Sequence, residues 1–307
     1  LRRQRQMCIR DRYATCARGR ADHRVGRCRG PVEPAFFIDL SMLLQVGGHP
    51  DTVHEQNGYI VKECTDAEAL FYHETHAMHH PHASALRAWM PRCYGIADER
   101  GEWLEGWPRV PLKAMRGTYS VTLENLVRPF CRANVCDIKI GTVLYNEANP
   151  RLSAEKRERM QRKAQETTSG SYGLRVTGYC SWDAHAQSFY TSGKVPGRAA
   201  RTTDDLQRLL AAAWQVPPEV VRAHLVPRIK HMCACLAPVP VSLCSASVLV
   251  VMEGDDTARR ERLAHGEPIF DVRLIDFAHS RWCDQPDQGV LRGLSTLYEL
   301  VLRLAAK

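Results

Sequence analysis

The chain has 307 residues, 44% of them hydrophobic, and a formal net charge of +8; that length buries a core in one large domain or two lobes without disulfides, which excludes a mini-protein. Residues 1–30 carry ten arginines against Asp11 and Asp22, and taking that segment from the 42 basic and 34 acidic residues of the whole leaves 32 of each. The basic balance therefore belongs to one segment and not to a folded surface.

Residues 1–30 open with LRRQRQMCIRDR and have almost no periodic apolar pattern. We expect a non-native or disordered basic segment there and leave it out of the fold. The 12 cysteines are scattered, and the close pair Cys233 and Cys235 has a one-residue gap that suits neither a zinc knuckle nor a CxxC redox site. They are expected to be mostly buried, reduced thiols. No apolar run approaches the roughly 20 residues that span a bilayer, and no secretory pattern begins the chain, so a soluble intracellular protein with no membrane span is expected.

From Phe36 to about Val127 the pattern is strands and turns with one helical stretch. Strands are expected at Tyr59–Lys62 and Tyr119–Leu123, and a helix at about Ala67–Met78. After Pro129 a short apolar strand carries Val135–Ile140 and stops at Gly141. A highly charged helix follows over 153–166, with Ser153 as its N-cap. The stretch Thr203–Trp214 puts Leu206, Leu209, Leu210 and Ala213 on one helical face. Ser247–Met252 reads as a buried strand, and Val272–Ile275 as another that delivers Asp276 at its end. Leu294, Leu297, Tyr298 and Val301 define a closing amphipathic helix. The sum is an α+β protein with a smaller N-terminal lobe over 31–126 and a larger C-terminal one over 127–307.

Phosphoryl transfer needs a cation on the nucleotide phosphates, a carboxylate for magnesium, and a group that orients the attacking hydroxyl. Lys62, the Asp137/Lys139 pair and Asp276 fit those jobs, and Asp137 and Lys139, alternate on one strand, point the same way. The run HETHAMHHPH at 73–82 lacks the H-E-x-x-H spacing of a zinc peptidase. Its His76 and His80 are four apart, and an exposed helix end is expected there.

Five segments occur in order: CDIKIG at 136–141, TSGSYGLRVTGY at 168–179, SASVLVVMEGD at 245–255, LIDFAHS at 274–280 and DQGVLRGL at 287–294. That series resembles the inositol polyphosphate kinase family, whose hallmarks are a DxKxG strand, a serine-leucine strand and an IDFAH segment. Within it, residues 153–178 look most like fungal inositol polyphosphate multikinases. The resemblance implies a two-lobed inositol polyphosphate kinase fold, distantly protein-kinase-like, with ATP and Mg2+ as cofactors. It implies phosphorylation of inositol tris- and tetrakisphosphates; the alternatives are a hexakisphosphate kinase making pyrophosphates, or a non-catalytic scaffold in a transcription-factor complex. A monomer in nucleus and cytoplasm is expected.

By the same resemblance, Lys62 grips the α- and β-phosphates with Glu68 as its ion-pair partner, and Gln45–His49 covers the nucleotide. Glu124, Asn125 and Leu126 form the hinge whose backbone meets adenine. Asp276 is the magnesium ligand, Ser247 approaches the nucleotide or metal, and Lys139 lies near the transferred phosphate or a substrate phosphate. Asp137 either orients the acceptor hydroxyl as a general base or anchors the ribose hydroxyls. Lys156, Lys163, Lys194 and Arg198 are the expected substrate cations. On the bare sequence, Glu155/Arg159 and Glu158/Arg162 are instead i,i+4 pairs of a solvated helix. Ala133 and Pro196 depart from the usual proline and tyrosine of the family, which changes loop geometry but removes no charge.

Overall fold

An Asn-Gly turn starts the first sheet. Asn57 and Gly58 both take positive φ (54° and 83°), the backbone a two-residue hairpin needs, and they join β1 (Val53–Gln56) to β2 (Tyr59–Thr65). Thr65 caps helix α1 (Asp66–Ala77) by accepting from the Glu68 N–H. A second helix, α2 (Pro81–Arg87), follows where one helical stretch was expected. Pro81 at its first turn and His80 as its cap explain the restart, because proline at N1 forfeits only an N–H that has no helical partner anyway. Strands β3 (Cys93–Ala97) and β4 (Thr118–Glu124) complete an antiparallel sheet of order β1-β2-β4-β3.

The computed structural model describes residues 52–104, 107, 117–147, 149 and 152–306. The basic segment 1–30 and the proposed nucleotide loop Gln45–His49 lie outside the described residues.

Chain order continues with β5 (Ala133–Ile140), α3 (Ala154–Gln165), α4 (Thr168–Tyr172), β6 (Leu174–Asp183), β7 (Ser188–Ser192), α5 (Lys194–Ala199) and α6 (Thr203–Trp214). A helical turn, α7 (Pro218–Val220), runs through a π turn at Val221–Leu225 into α8 (Val226–Leu236). Pro227 has no N–H to offer back along that helix, and the widened turn sits just before it. Then come β8 (Val241–Cys244), β9 (Ser247–Glu253), α9 (Asp256–Ala264), β10 (Phe270–Ile275), β11 (His279–Trp282) and α10 (Gln288–Ala305).

The second sheet is antiparallel, in the order β10-β9-β5-β6-β7. Its central strand β5 is buried on both faces, which is why ANVCDIKI reads as an apolar run broken only by residues with work to do. Helix α10 lays Leu294, Leu297, Leu300, Val301 and Leu304 into the core, while Tyr298 is only half-buried; in α6, Leu206, Leu210 and Ala213 are buried and Leu209 is half-buried. Phe71 and Tyr72 of α1 pack on Phe277, with ring centroids 5.2 and 5.4 Å away, and lock the helix against the turn after β10. No helix among the described residues is long and apolar enough to cross a membrane. The nine described cysteines carry free thiols.

Candidate active site

Strand β5 runs along the floor of a cavity of about 620 Å³ that β2, β4, β9 and the turn after β10 enclose. One end is apolar: Ile60, Leu123, Leu126, Val127, Val135 and Leu249 line it together with Glu124 and Asn125. The other end carries Lys62, Glu68, Asp137, Lys139, Ser245, Asp276 and His279. The period-2 alternation of β5 makes that gradient, presenting Val135, then Asp137, then Lys139 to the same cavity.

At the polar end Lys62 Nζ donates to Glu68 Oε1 at 2.7 Å and to Asp276 Oδ1 at 3.1 Å. Lys139 Nζ donates to the Ser245 carbonyl at 2.9 Å, to Ser247 Oγ at 3.2 Å and to Asp276 Oδ2 at 3.4 Å. Asp276 therefore holds an ammonium on each carboxylate oxygen. It does so from a left-handed backbone with φ 65°, a conformation a non-glycine residue adopts at a cost and that ends β10 abruptly. Burial favours the neutral acid, yet Lys62 and Lys139 outweigh it and hold the Asp276 carboxyl down at about 2. Burial likewise opposes the charge on Lys62, but Asp276 and Glu68 keep it well above its ordinary value. Burial pushes the Asp137 carboxyl up against the pull of Lys139, and its Oδ1 is buried with no hydrogen-bond partner.

Lys139 also borders a second recess, of about 80 Å³, lined by Lys139, Lys163, Arg175, Thr177, Lys194 and Arg198. Two structural devices assemble it. Lys139 and Arg175 are register partners on β5 and β6. Gly197 in α5 lies so close to β6 that a Cβ there would stand 1.7 Å from the Val176 carbonyl, so only glycine lets α5 bring Lys194 and Arg198 to this place. Burial lowers the Lys163 amine to about 8, and the charges of Arg175, Arg198, Lys139 and Lys194 add to the shift.

The structure thus brings Lys62, Glu68, Glu124, Leu126, Asp137, Lys139 and Asp276 to one cavity, and Lys163, Lys194 and Arg198 to the adjoining recess. Ser247 is placed otherwise than expected: it faces the same side as Leu249, but the Lys139 amine covers it, it is fully buried, and it does not line the cavity. Lys156 is exposed and lines neither space, though its charge reaches His279, whose imidazole is lowered by burial first and then by Lys156 and Lys139. Among the described residues none of the ion pairs expected along α3 forms; instead Gln161 donates to the Tyr145 hydroxyl at 2.9 Å and Arg157 lies over the Tyr145 ring. His76 ends α1, bonding to the Tyr72 carbonyl at 2.8 Å, whereas His80 caps the next helix. No group of three or more His, Cys, Asp or Glu that could hold a metal occurs among the described residues. Arg175, Thr177 and His279 escaped the sequence reading. An arginine inside the apolar run of LRVTGY was the available signal for the first.

The profile of the inositol polyphosphate kinase family matches residues 120–302. The chain is 27% identical to the inositol polyphosphate multikinase of Schizosaccharomyces pombe over 264 residues, covering 82% of this chain and 93% of that protein. It is also 27% identical to inositol hexakisphosphate kinase 3 of Homo sapiens, but over 208 residues, 58% of this chain and 50% of that protein. Its fold is like that of the inositol phosphate multikinase of S. cerevisiae solved with ADP and Mn2+, with a TM-score of 0.62 and 24% identity, covering 79% of this chain and 98% of that one.

Proposed function

Because the chain belongs to the inositol polyphosphate kinase family, we propose that it transfers the terminal phosphoryl group of ATP to a hydroxyl of an inositol polyphosphate, as a multikinase acting on tris- and tetrakisphosphates. The observation that carries this reading is the position of Lys139, which lines both the large cavity and the basic recess. A phosphoryl group moving between a nucleotide and an anionic acceptor must pass such a point.

Adenine fits the apolar end, against Leu126, Val135 and Leu249, with the backbone of Glu124–Val127 offering its hydrogen bonds. Asp137 comes next along β5 and lines the cavity, where its carboxylate meets the ribose hydroxyls; a general base would have to lie nearer the acceptor than the phosphate-end lysine does. Lys62, oriented by Glu68, grips the α- and β-phosphates, and Lys139 neutralises charge on the group in transfer. Ser247 positions Lys139 from below. A divalent cation suits the exposed part of Asp276, whose carboxylate stays ionised throughout the physiological range, and when bound it supplies Lewis-acid stabilisation of the terminal phosphates. Lys163, Lys194 and Arg198 orient the acceptor through phosphates it already carries. A monomer working on soluble substrates in nucleus and cytoplasm is the setting this reading implies.

The experiment is incubation of the purified chain with ATP, Mg2+ and a panel of defined inositol phosphates, with products resolved by position. Conversion of tris- and tetrakisphosphates is the expected result. Pyrophosphate formation on the hexakisphosphate alone would move the assignment to a hexakisphosphate kinase, and no product at all would leave a scaffold.

A further inference from the structure

The segment 125–132, which joins β4 to β5, is anchored by a carboxylate that takes no part in the cavity. Glu253, the last residue of β9, stands in register with Ala133, the first of β5, and is fully buried. Its Oε2 accepts from the Cys131 N–H at 2.7 Å, and its Oε1 from the N–H groups of Arg132 at 2.9 Å and Asp255 at 3.1 Å. Among the described residues no cation forms an ion pair with this side chain. A carboxylate taken out of water is costly unless hydrogen bonds satisfy it. Backbone N–H groups supply those bonds here, two of them from the joining segment itself. The end of β9 grips the same segment once more, through the Gly254 N–H on the Arg132 carbonyl at 2.7 Å.

A second tether comes from α9. Arg262 Nη1 donates to the Pro129 carbonyl at 2.7 Å and its Nε to the Pro268 carbonyl at 3.0 Å, while its guanidinium lies over the Phe130 ring, 5.0 Å from the centroid. Phe130 packs with Leu126, Val135 and Val251 in a small buried cluster, and Val127 and Leu249 lie against it. Leu126, Val127, Val135 and Leu249 line the apolar end of the large cavity, whereas Glu253, Arg262 and Phe130 do not. Both tethers therefore act on the cavity from behind its wall. The turn at the start of the segment is local, with Asn125 Oδ1 accepting from the Val127 N–H at 3.2 Å, but its place over β5 is set by the far end, as a supporting shell sets a binding site.

We propose that Glu253 and Arg262 are positioning residues for the nucleotide: they fix the segment 125–132 so that Leu126 and Val127 stand across from Val135 and Leu249 at the spacing an adenine ring fills. The proposal rests on the functional reading above and extends it to two residues that touch neither substrate. A shift of the segment widens or closes that slot, and a misplacement of about 1 Å costs an enzyme up to about a hundredfold. The effect falls on ATP alone, because the basic recess is lined from β5, β6, α3 and α5 and takes no residue from 125–132.

The test compares the wild-type chain with Glu253→Gln, Arg262→Ala and Arg262→Lys, reading kcat and KM for ATP and for inositol trisphosphate well below each melting temperature. Glu253→Gln keeps the shape but turns an NH2 toward a backbone N–H, so KM for ATP should rise about tenfold, with kcat and KM for inositol trisphosphate within about twofold. Arg262→Ala should raise KM for ATP about threefold, and Arg262→Lys, which can still donate to the Pro129 carbonyl, should restore most of that loss. A merely structural role predicts a lower melting temperature with KM for ATP unchanged, or both KM values rising in step; either result refutes the proposal while the kinase reading stands. Should Glu253→Gln fail to fold, the Arg262 variants decide, since that tether is exposed, and an unchanged KM for ATP in Arg262→Ala overturns the proposal. If the wild-type chain phosphorylates no inositol phosphate, the kinase reading fails, and the proposal then stands or falls on whether ATP with Mg2+ raises the melting temperature of wild type and does so less for Arg262→Ala.

Discussion

Glu68 ties Lys62 to Phe277: one carboxylate oxygen, Oε1, accepts from Lys62 Nζ at 2.7 Å and from the backbone N–H of Phe277 at 3.1 Å. The strand that carries Lys62 and the turn that carries Asp276 are thereby fixed to the first turn of α1. Removing this carboxylate should loosen both. Glu68→Ala is expected to lose roughly 3 kcal/mol of stability, the usual cost of leaving one partner of a buried pair behind. It should also raise KM for ATP more than KM for the inositol substrate. Urea unfolding together with kinetics in which each substrate is varied in turn would check this; a stable variant with normal ATP affinity contradicts the role.

Asp276→Asn should abolish turnover and leave the fold intact, because phosphate charge then goes uncompensated in the transition state. Circular dichroism and rate are to be measured on the same sample. The carboxyl is depressed from 3.8 to about 2 in the folded chain. Its contribution to stability is therefore present above the unfolded value and is lost as pH falls through about 2. Acid titration of the variant should show a shallower loss of stability over pH 4 to 2 than wild type; coincident curves would mean the two ammonium contacts contribute nothing.

Asp137 admits a clean separation of its two roles. If Asp137 anchors the ribose, Asp137→Asn should raise KM for ATP, while 2′-deoxy-ATP should be a poor substrate for wild type and suffer little further loss in the variant. As a general base it would instead lower kcat by about a hundredfold or more at unchanged KM for ATP. The gradient along β5 predicts the first pattern.

How far the sequence carried this picture differs from element to element. Strands β5, β9 and β10 and the Ser153 cap were legible because an apolar run and an N-cap are local signals, and the five ordered segments supplied the chemistry. The hairpin at Asn57-Gly58 was equally local but went unread. The prolines around α7 and α8 hid a helix, since a π turn before Pro227 restores what periodicity alone says is broken. What no local pattern reveals is the meeting of Lys62 with Asp276, 214 residues apart, or the bulge that gives Thr177 its place. That Arg175 borders the recess is shown only by its register with Lys139.

The Lys163 amine sets a pH window. It is lowered from 10.5 to about 8, so in the free enzyme it is charged below about pH 8 and neutral above. A bound phosphate favours the charged form and raises that value. Binding above pH 8 must then take up a proton, and KM for the inositol phosphate should climb toward tenfold per pH unit between about 8 and 10. Lys163→Arg, charged throughout, should flatten the rise. A profile that is flat in wild type, or equally steep in the variant, would remove Lys163 from the proposed substrate cations.

On the proposed reading, a phosphoryl group crosses from nucleotide to inositol at Lys139. The most direct test of that reading is transfer of radiolabel from the terminal phosphate of ATP to inositol trisphosphate, run side by side for the wild-type chain and a folded Lys139→Met variant with unchanged Asp276. Labelled inositol tetrakisphosphate is expected from wild type, with a loss of at least about a thousandfold in the variant, the scale that follows when a charge-stabilising group is removed from a phosphoryl-transfer site. Equal labelling by the two proteins, or label that stays in nucleotide and free phosphate with wild type, would contradict it.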